Sequence, residues 1–247
     1  MREQTARKFF RIFTDLLGRT PFHPQFFSKY FLGRQVCRRA ADLSGIVADL
    51  GCGFGPYRRF FSHTTYLGVD YPLTMASGRV KGLEAFMDLT CLALSDRSLD
   101  GVLCTQVLEH VRDPLKAVIE IGRILKPGGK LLLSIPFFYP LHDEPHDYFR
   151  YTPYGIKVIL SRAGLKIIDI VPQGGFVTMS GEFLNLFCLH KIQNLLRAGV
   201  WGRILGLCIV PAVFSAAFLV NLACIVGSFL DRERRFVMNY FIFAVRC

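Results

Sequence analysis

Two stretches of the 247-residue chain hold the residue types that chemistry needs at usable spacing. The first is Val47-Ala48-Asp49-Leu50-Gly51-Cys52-Gly53-Phe54-Gly55, an apolar run that breaks into three alternate glycines and resumes as Tyr57-Arg58-Arg59-Phe60-Phe61. Glycines allow close backbone approach to a ligand, and a helix starting after them would offer free N–H groups, as a nucleotide-type ligand requires. Asp70 closes the next apolar run, about 20 residues after Asp49, where a carboxylate can accept hydrogen bonds from both hydroxyls of a ribose. The second stretch is Leu141-His142-Asp143-Glu144-Pro145-His146-Asp147-Tyr148-Phe149-Arg150-Tyr151-Thr152. Histidine is the usual base near neutral pH, so His142 or His146 could take a proton from a hydroxyl, with Arg150 or Tyr148 orienting it. The H-x-x-x-H spacing mimics a metal site, but prolines around it argue against a helix presenting both imidazoles, and no metal is expected there. The plain alternative is a hydrated loop with Arg150 paired to an acid.

The elements that must position these residues alternate between strand and crossover. Val47 to Leu50, Thr65 to Asp70, Ala85 to Asp88 and Leu99 to Cys104 read as four short buried strands, with a helix expected after the glycine turn. Pro72, Gly78 and Gly82 make the segment before the third strand poor material for a full helix. Asp113-Pro114 predicts a helix start, with an acceptor at the N-cap and proline at the first helical position, and Leu115, Val118, Ile119, Ile121 and Leu125 keep helical spacing. Lys126-Pro127-Gly128-Gly129 should end that helix before a fifth strand over Lys130 to Ile135, closed by Pro136. Thr152-Pro153 opens another helix reaching Ala163-Gly164, Lys166 to Val171 is the sixth strand, and Asn239 to Val245 reads as a last strand beside it.

In this order the motifs resemble those of the class I S-adenosylmethionine-dependent methyltransferases, in particular the small-molecule subgroup reading D-x-G-C-G-x-G, G-h-D, an L-P-F-like stretch before F-D-x-h, L-E-H and L-K-P-G-G. Here they are Asp49 to Gly55, Gly68 to Asp70, Leu92-Ala93-Leu94 before Leu99-Asp100, Leu108-Glu109-His110 and Leu125 to Gly129. The resemblance spans roughly residues 46–172 and implies an α/β, doubly wound, seven-stranded Rossmann-like sheet with S-adenosyl-L-methionine as cofactor. It places Gly51, Cys52, Gly53 and Gly55 at the methionine portion, Asp49 near the sulfonium side, Asp70 at the ribose, Asp88 at the adenine with Leu89 beside it, and Gln106 at the methyl-donor pocket. Glu109 and His110 read as first-turn residues of the helix that follows.

Composition bounds the remainder. The net charge is +11, and residues 1–39 carry nine Arg or Lys against Glu3 and Asp15, a local excess of +7. Eight cysteines lie far apart with no C-x-x-C pair, as expected for free thiols in a reducing compartment. Arg2 to Leu17 has Phe9, Phe10, Phe13, Leu16 and Leu17 at helical spacing, so a basic amphipathic helix lying on a membrane or docked on the domain is expected, not a secretory signal. Ile204 to Leu230 contains no charge over 27 residues, enough helix to cross a bilayer. A single crossing would separate the last two strands of one sheet, so a hairpin bent near Pro211 or a helix lying in the interface is expected instead. A buried helix at a homodimer interface is the bland alternative. The division expected is a basic cap over 1–42, a methyltransferase core over 43–175 and 236–247, and a hydrophobic insertion over 176–235. The function this implies is methyl transfer to a small, lipid-like or lipid-linked acceptor by a cytoplasmic enzyme held one-sidedly on the inner face of a membrane. The competing readings are a nucleic-acid methyltransferase, disfavoured because such an enzyme has no use for the 204–230 run, and a non-catalytic membrane scaffold, disfavoured by the intact glycine turn and Asp70.

Overall fold

A computed structural model describes residues 18, 20–72, 83–231 and 235–247 of the chain. Strands β1 (Ile46–Leu50), β2 (Thr65–Asp70), β3 (Ala85–Phe86), β4 (Leu99–Thr105), β5 (Leu125–Pro136), β6 (Leu165–Gln173) and β7 (Asn239–Arg246) form one sheet in the order β3-β2-β1-β4-β5-β7-β6. Pairings from β3 through to β5 are parallel, whereas β7 runs antiparallel to both β5 and β6. This is the seven-stranded methyltransferase sheet expected from the sequence. Parallel strands covered on both faces need apolar side chains on both, and Leu131, Leu132 and Leu133 in β5 are accordingly all buried in sequence. Leu32, Val36 and Ala40, on helix α1 (Phe26–Ala40), pack with Val47, Leu103, Leu132 and Phe241 in the core.

Several expectations need correction. The glycine turn is followed not by an α-helix but by a single 3-10 turn, Arg58–Phe61, with Phe61 buried as its anchor. The reason is length: Thr65 already pairs with Ile46 in β2, which leaves too little chain for a full crossover helix. The third strand stops at Phe86, and Asp88 instead makes an isolated bridge with Cys91. Helix α2 (Pro114–Ile124) starts as expected, the Asp113 side chain accepting from the Lys116 N–H, but β5 begins immediately at Leu125. Leu125 to Gly129 is therefore the irregular start of the strand, with Gly128 at φ 76° and a register shift against Leu99 and Gly101. Helix α3 (Pro153–Arg162) is capped by Thr152 as anticipated. The helices expected over Arg2 to Leu17, and the weak segment after Pro72 over 73–82, lie outside the described residues.

The chain divides into two compact units. Of the described residues, those of Leu32–Gln173 and Asn239–Cys247 make one unit, which contains the whole sheet, and those before Leu32 together with those of Gly174–Met238 make the other. In this second unit α4 (Phe176–Arg197) and α5 (Gly199–Gly227) form an antiparallel hairpin. Pro211 does not bend it, since α5 runs unbroken through that residue; the reversal falls instead at Gly199, whose φ of 84° suits glycine. Gly206, Val210, Phe214, Ala217, Asn221 and Cys224 make the buried stripe of α5, each three or four residues after the last. Gly181 of α4 permits the close approach, because a Cβ there would stand 2.3 Å from the Cys224 Sγ. Within the stripe, the Asn185 amide donates to Asn221 Oδ1 at 3.0 Å, and Asn221 donates to the Pro21 and His23 carbonyls.

Glu182, also on α4, is fully buried and accepts from the Ser28 N–H at 2.9 Å and from the Ser28 hydroxyl. Burial pushes its carboxyl up from 4.5 to about 7. A folded-state value above the unfolded one means that its contribution to stability is complete below the unfolded value and is lost as pH rises through about 7. At roughly 1.4 kcal/mol per pKa unit, the effect is on the order of 3 kcal/mol. Thermal melts between pH 5 and pH 8 should therefore show a shallower pH dependence for Glu182→Gln than for wild type. Parallel curves would remove this carboxyl as the source.

Candidate active site

The glycine turn is knitted to the neighbouring strand. The Gly51 and Cys52 N–H groups donate to the Val69 carbonyl at 2.8 and 3.0 Å, and the Gly53 N–H donates to Asp70 Oδ2 at 2.7 Å. Gly51, Gly53 and Gly55 all have positive φ, at 76°, 53° and 62°, which disfavours any side chain. A Cβ on Gly51 would also lie 2.3 Å from Val107 Cγ2, just past β4. Asp70 is buried, and its second oxygen accepts from the Tyr71 N–H at 2.7 Å; a carboxylate oxygen can accept more than one hydrogen bond, as a ribose hydroxyl would require. Asp49 is buried and accepts from the Tyr66 hydroxyl through Oδ2, while its Oδ1 has no hydrogen-bond partner. Burial chiefly, with nearby Asp70 adding, raises its carboxyl to about 7. A cationic group brought to the orphaned oxygen would favour the ionised form. Three left-handed glycines, an orphaned buried carboxylate oxygen and the Asp70 carboxylate fit a ribose-bearing sulfonium ligand, with Gly51, Gly53, Gly55, Asp49 and Asp70 as the residues that would hold it.

The other cofactor candidates are placed as follows. Cys52 is buried and its thiol is pushed up to about 12 by burial and nearby carboxylates, so it offers backbone and not a thiolate. Asp88 is exposed, and its Oδ1 accepts from the Thr90 N–H and hydroxyl, both at 2.8 Å, closing its own turn; Leu89 beside it is buried. Gln106 has φ 55°, rare for a residue with a side chain, and is held there by its N–H on the Ser134 carbonyl and its side-chain amide on the Ser134 hydroxyl, each at 3.0 Å. Strain of about 1–3 kcal/mol persists only where surroundings enforce it, typically at functional sites.

Beyond β4 and β5 two loops are stitched together. Glu109 and His110 belong to a separate 3-10 turn, Leu108–His110, and not to the first turn of α2, which starts at Pro114. The Tyr148 N–H donates to the Glu109 carbonyl at 2.8 Å, and His110 Nδ1 contacts the His146 carbonyl at 2.8 Å. Arg150 grips Asp147 with two bonds of 2.5 and 2.7 Å, which hold the Asp147 carboxyl down at about 2, so Arg150 braces the loop. His142 lies against the same acid, its Nδ1 at 3.2 Å from both the Pro140 carbonyl and Asp147 Oδ2, and burial followed by the neighbouring His110 lowers its pKa. His146 is exposed; its Nδ1 is 3.0 Å from the Tyr148 hydroxyl, which accepts from Arg112 Nε at 2.9 Å. The structure thus gathers His142, Asp147 and Arg150 in one group and His146, Tyr148 and Arg112 in another.

Sequence reasoning missed Arg112, the burial of Glu109, and the pair Gln173 and Asn239. Among the described residues, the buried side-chain atoms without hydrogen-bond partners belong to Asp49, Glu109, Gln173 and Asn239. All four lie at or near one edge of the sheet: Asp49 near the end of β1, Glu109 past β4, Gln173 at the end of β6 and Asn239 at the start of antiparallel β7. Open α/β sheets bind ligands at this carboxyl edge. The clue in the sequence was a polar residue at each strand terminus, with nothing local to say that those termini converge.

Residues 48–133 match the family described as a methyltransferase domain. An uncharacterised protein of Methanocaldococcus jannaschii is 38% identical over 92 residues, which cover 36% of this chain and 40% of that protein. A ubiquinone biosynthesis O-methyltransferase of Xanthomonas oryzae is 36% identical over 106 residues, 38% of this chain and 44% of that enzyme. A probable tRNA methyltransferase 9B of Mus musculus is 33% identical over 96 residues, 36% of this chain and 21% of that protein. The chain therefore spans less than half the length of these curated relatives. Among solved structures, the [4+2]-cyclase SpnF superposes with a TM-score of 0.56 at 18% identity, covering 87% of this chain and 79% of that one. A putative sarcosine dimethylglycine methyltransferase from Galdieria sulphuraria gives 0.55 at 12% identity, covering 87% and 84%. Residues 48–133 thus match a methyltransferase domain, and the sheet built around them has the fold of the class I S-adenosylmethionine-dependent methyltransferases. Its cofactor is S-adenosylmethionine.

Proposed function

We propose that the protein transfers a methyl group from S-adenosylmethionine to a lipid-like or lipid-linked acceptor at a membrane surface. The observation that carries this reading is the composition of α5 outside its buried stripe. A helix docked on a soluble protein keeps polar residues on its outer face. Here the outer face is apolar: Trp201, Leu205, Leu219, Leu222 and Val226 are exposed, and only 22% of the most hydrophobic window, of mean hydropathy 2.4, is buried. Among the described residues α5 is the one helix long and apolar enough to cross a membrane, by length and composition. The α4–α5 hairpin joins β6 to β7, which pair with one another in a single sheet, so the chain cannot cross a bilayer an odd number of times, and attachment from one side meets that requirement. The basic excess before residue 40 suits anionic phosphates on that side. A relative named for O-methylation in ubiquinone biosynthesis supports a small-molecule oxygen as the acceptor.

Flotation with vesicles tests the attachment. The protein should float with them and remain bound in 1 M salt, because buried apolar side chains, at about 1.5–3 kcal/mol each, are not screened as surface charges are. A dimer that stays with the soluble fraction would assign α5 to a protein interface instead.

Methyl displacement requires positioning more than elaborate catalysis, and a base is needed only where the acceptor loses a proton. We assign that role to His146, which Tyr148 and Arg112 orient. His146→Ala should lower turnover by about a hundredfold or more while cofactor affinity stays within about threefold of wild type. Equal losses in both would remove His146 from the acceptor side.

A further inference from the structure

Glu109 is the most anomalous group at the carboxyl edge. Its side chain is fully buried and neither carboxylate oxygen has a hydrogen-bond partner. A buried carboxylate left in this way costs several kcal/mol unless a cation or donor compensates it. The nearest cationic side chain on the loop, Arg150, is committed to Asp147. What surrounds Glu109 instead is a pair of half-buried imidazoles, His110 and His142, with ring centroids 4.8 Å apart and planes at 77°.

The hydrogen bonds fix which nitrogen each imidazole offers. His110 Nδ1 faces the His146 carbonyl, and His142 Nδ1 faces the Pro140 carbonyl and the Asp147 carboxylate. These oxygens can only accept, so in each neutral ring Nδ1 carries the proton and Nε2 keeps its lone pair. Holding one ring N–H on a carbonyl or carboxylate so that the other nitrogen points at an ion is the habit of metal-binding histidines. His110 Nε2 stands 3.9 Å from Glu109 Oε1, and one ligand atom from each of Glu109, His110 and His142 lies within 4.8 Å of the others.

We propose that Glu109, His110 and His142 form a binding site for one divalent transition-metal ion, of the two-imidazole, one-carboxylate type that suits zinc or iron. Bonds of about 2.0–2.2 Å require the donor atoms to close by roughly an ångström, within the reach of side-chain torsions. Two neutral imidazoles and one carboxylate leave a net positive ion with open positions for oxygen ligands. Asp147 and the two carbonyls serve as the outer partners that orient the rings. This set differs from the H-x-x-x-H pair suggested by spacing, because His146 contributes its backbone carbonyl and not its ring. The binding of the ion does not depend on the methyl-transfer reading; only a role in polarising the acceptor's oxygen would rest on it.

The test is a titration of chelator-stripped, full-length protein with cobalt(II), whose visible absorption reports its ligands. Wild type should bind one equivalent saturably, and zinc should displace it. Glu109→Gln and His142→Ala should each weaken binding by at least about a hundredfold, while His190→Ala, on exposed α4 surface, leaves it unchanged. Retained S-adenosylmethionine binding shows that each variant is folded, and it separates failure of the metal site from failure of the methyltransferase reading. The proposal is overturned if wild type shows no saturable uptake at up to about 1 mM cobalt. It is equally overturned if the variants bind as wild type does, or if alkylating the exposed Cys37, Cys91, Cys208 and Cys247 abolishes the signal.

Discussion

Gly51→Ala is expected to lower the melting temperature by roughly 4–20 °C and to abolish measurable S-adenosylmethionine binding. Two costs add. An alanine at φ 76° pays about 1–2 kcal/mol for the left-handed conformation. Its Cβ, 2.3 Å from Val107 Cγ2, adds roughly 1–3 kcal/mol of overpacking. A total of about 2–5 kcal/mol converts to that shift at roughly 2–4 °C per kcal/mol for a chain of this size. The double variant with Val107→Ala separates the two costs, because it makes room for the methyl group without relieving the backbone. It should regain part of the stability and little of the binding. A Gly51→Ala protein that melts and binds like wild type would show that the turn can move away from β4 at no cost, and the cradle described above would lose its rigidity.

Asp70→Ala should weaken S-adenosylmethionine by about ten- to a hundredfold. Removing the carboxylate takes from two ribose hydroxyls an acceptor worth roughly 1.5–3 kcal/mol. It also releases the Gly53 and Tyr71 N–H groups that the carboxylate now holds at 2.7 Å, loosening the turn itself. Calorimetric titration of the two proteins measures the difference directly, and Asp70→Asn, which keeps one carbonyl acceptor, should fall between them. Equal affinities for wild type and Asp70→Ala would place the ribose contact elsewhere.

The parts legible in the sequence were those whose cause is local. Buried parallel strands announce themselves as short apolar runs ended by glycine, proline or an acid, and β1, β2, β4 and β7 lie within a residue or two of where those runs stand. Asp113-Pro114 and Thr152-Pro153 supply their own caps, so α2 and α3 start where expected. The misplaced elements were decided by distant partners. The helix after Gly55 fails because Thr65 must reach its register with Ile46, and β5 starts early because Leu125 finds Leu99. Pro211 reads locally as a breaker, yet the packing of Val210 and Phe214 with Ile192 carries α5 through it.

The candidate site divides in the same way. The glycine turn and Asp70 are adjacent in sequence to the elements that shape them, and the Gly53 N–H meets the Asp70 carboxylate. Glu109 looked like an ordinary first-turn acid because its burial comes from a loop some 36 to 42 residues away, whose Tyr148 N–H and Tyr151 hydroxyl bond backbone carbonyls that any sequence would provide. Gln173 and Asn239 face one another across the β6 and β7 register, a pairing made only after the whole α4–α5 hairpin has been traversed.

The function proposed for this chain moves a methyl group from S-adenosylmethionine to an acceptor embedded in or tethered to a membrane. The most direct measurement supplies S-adenosylmethionine labelled in its methyl group to purified protein and native membranes, and then partitions the products between organic solvent, water and nucleic acid. Label should appear in the lipid extract with wild type and be reduced to background with Asp70→Ala. Label confined to RNA or to water-soluble products, or lipid label that persists undiminished in Asp70→Ala, would rule that function out.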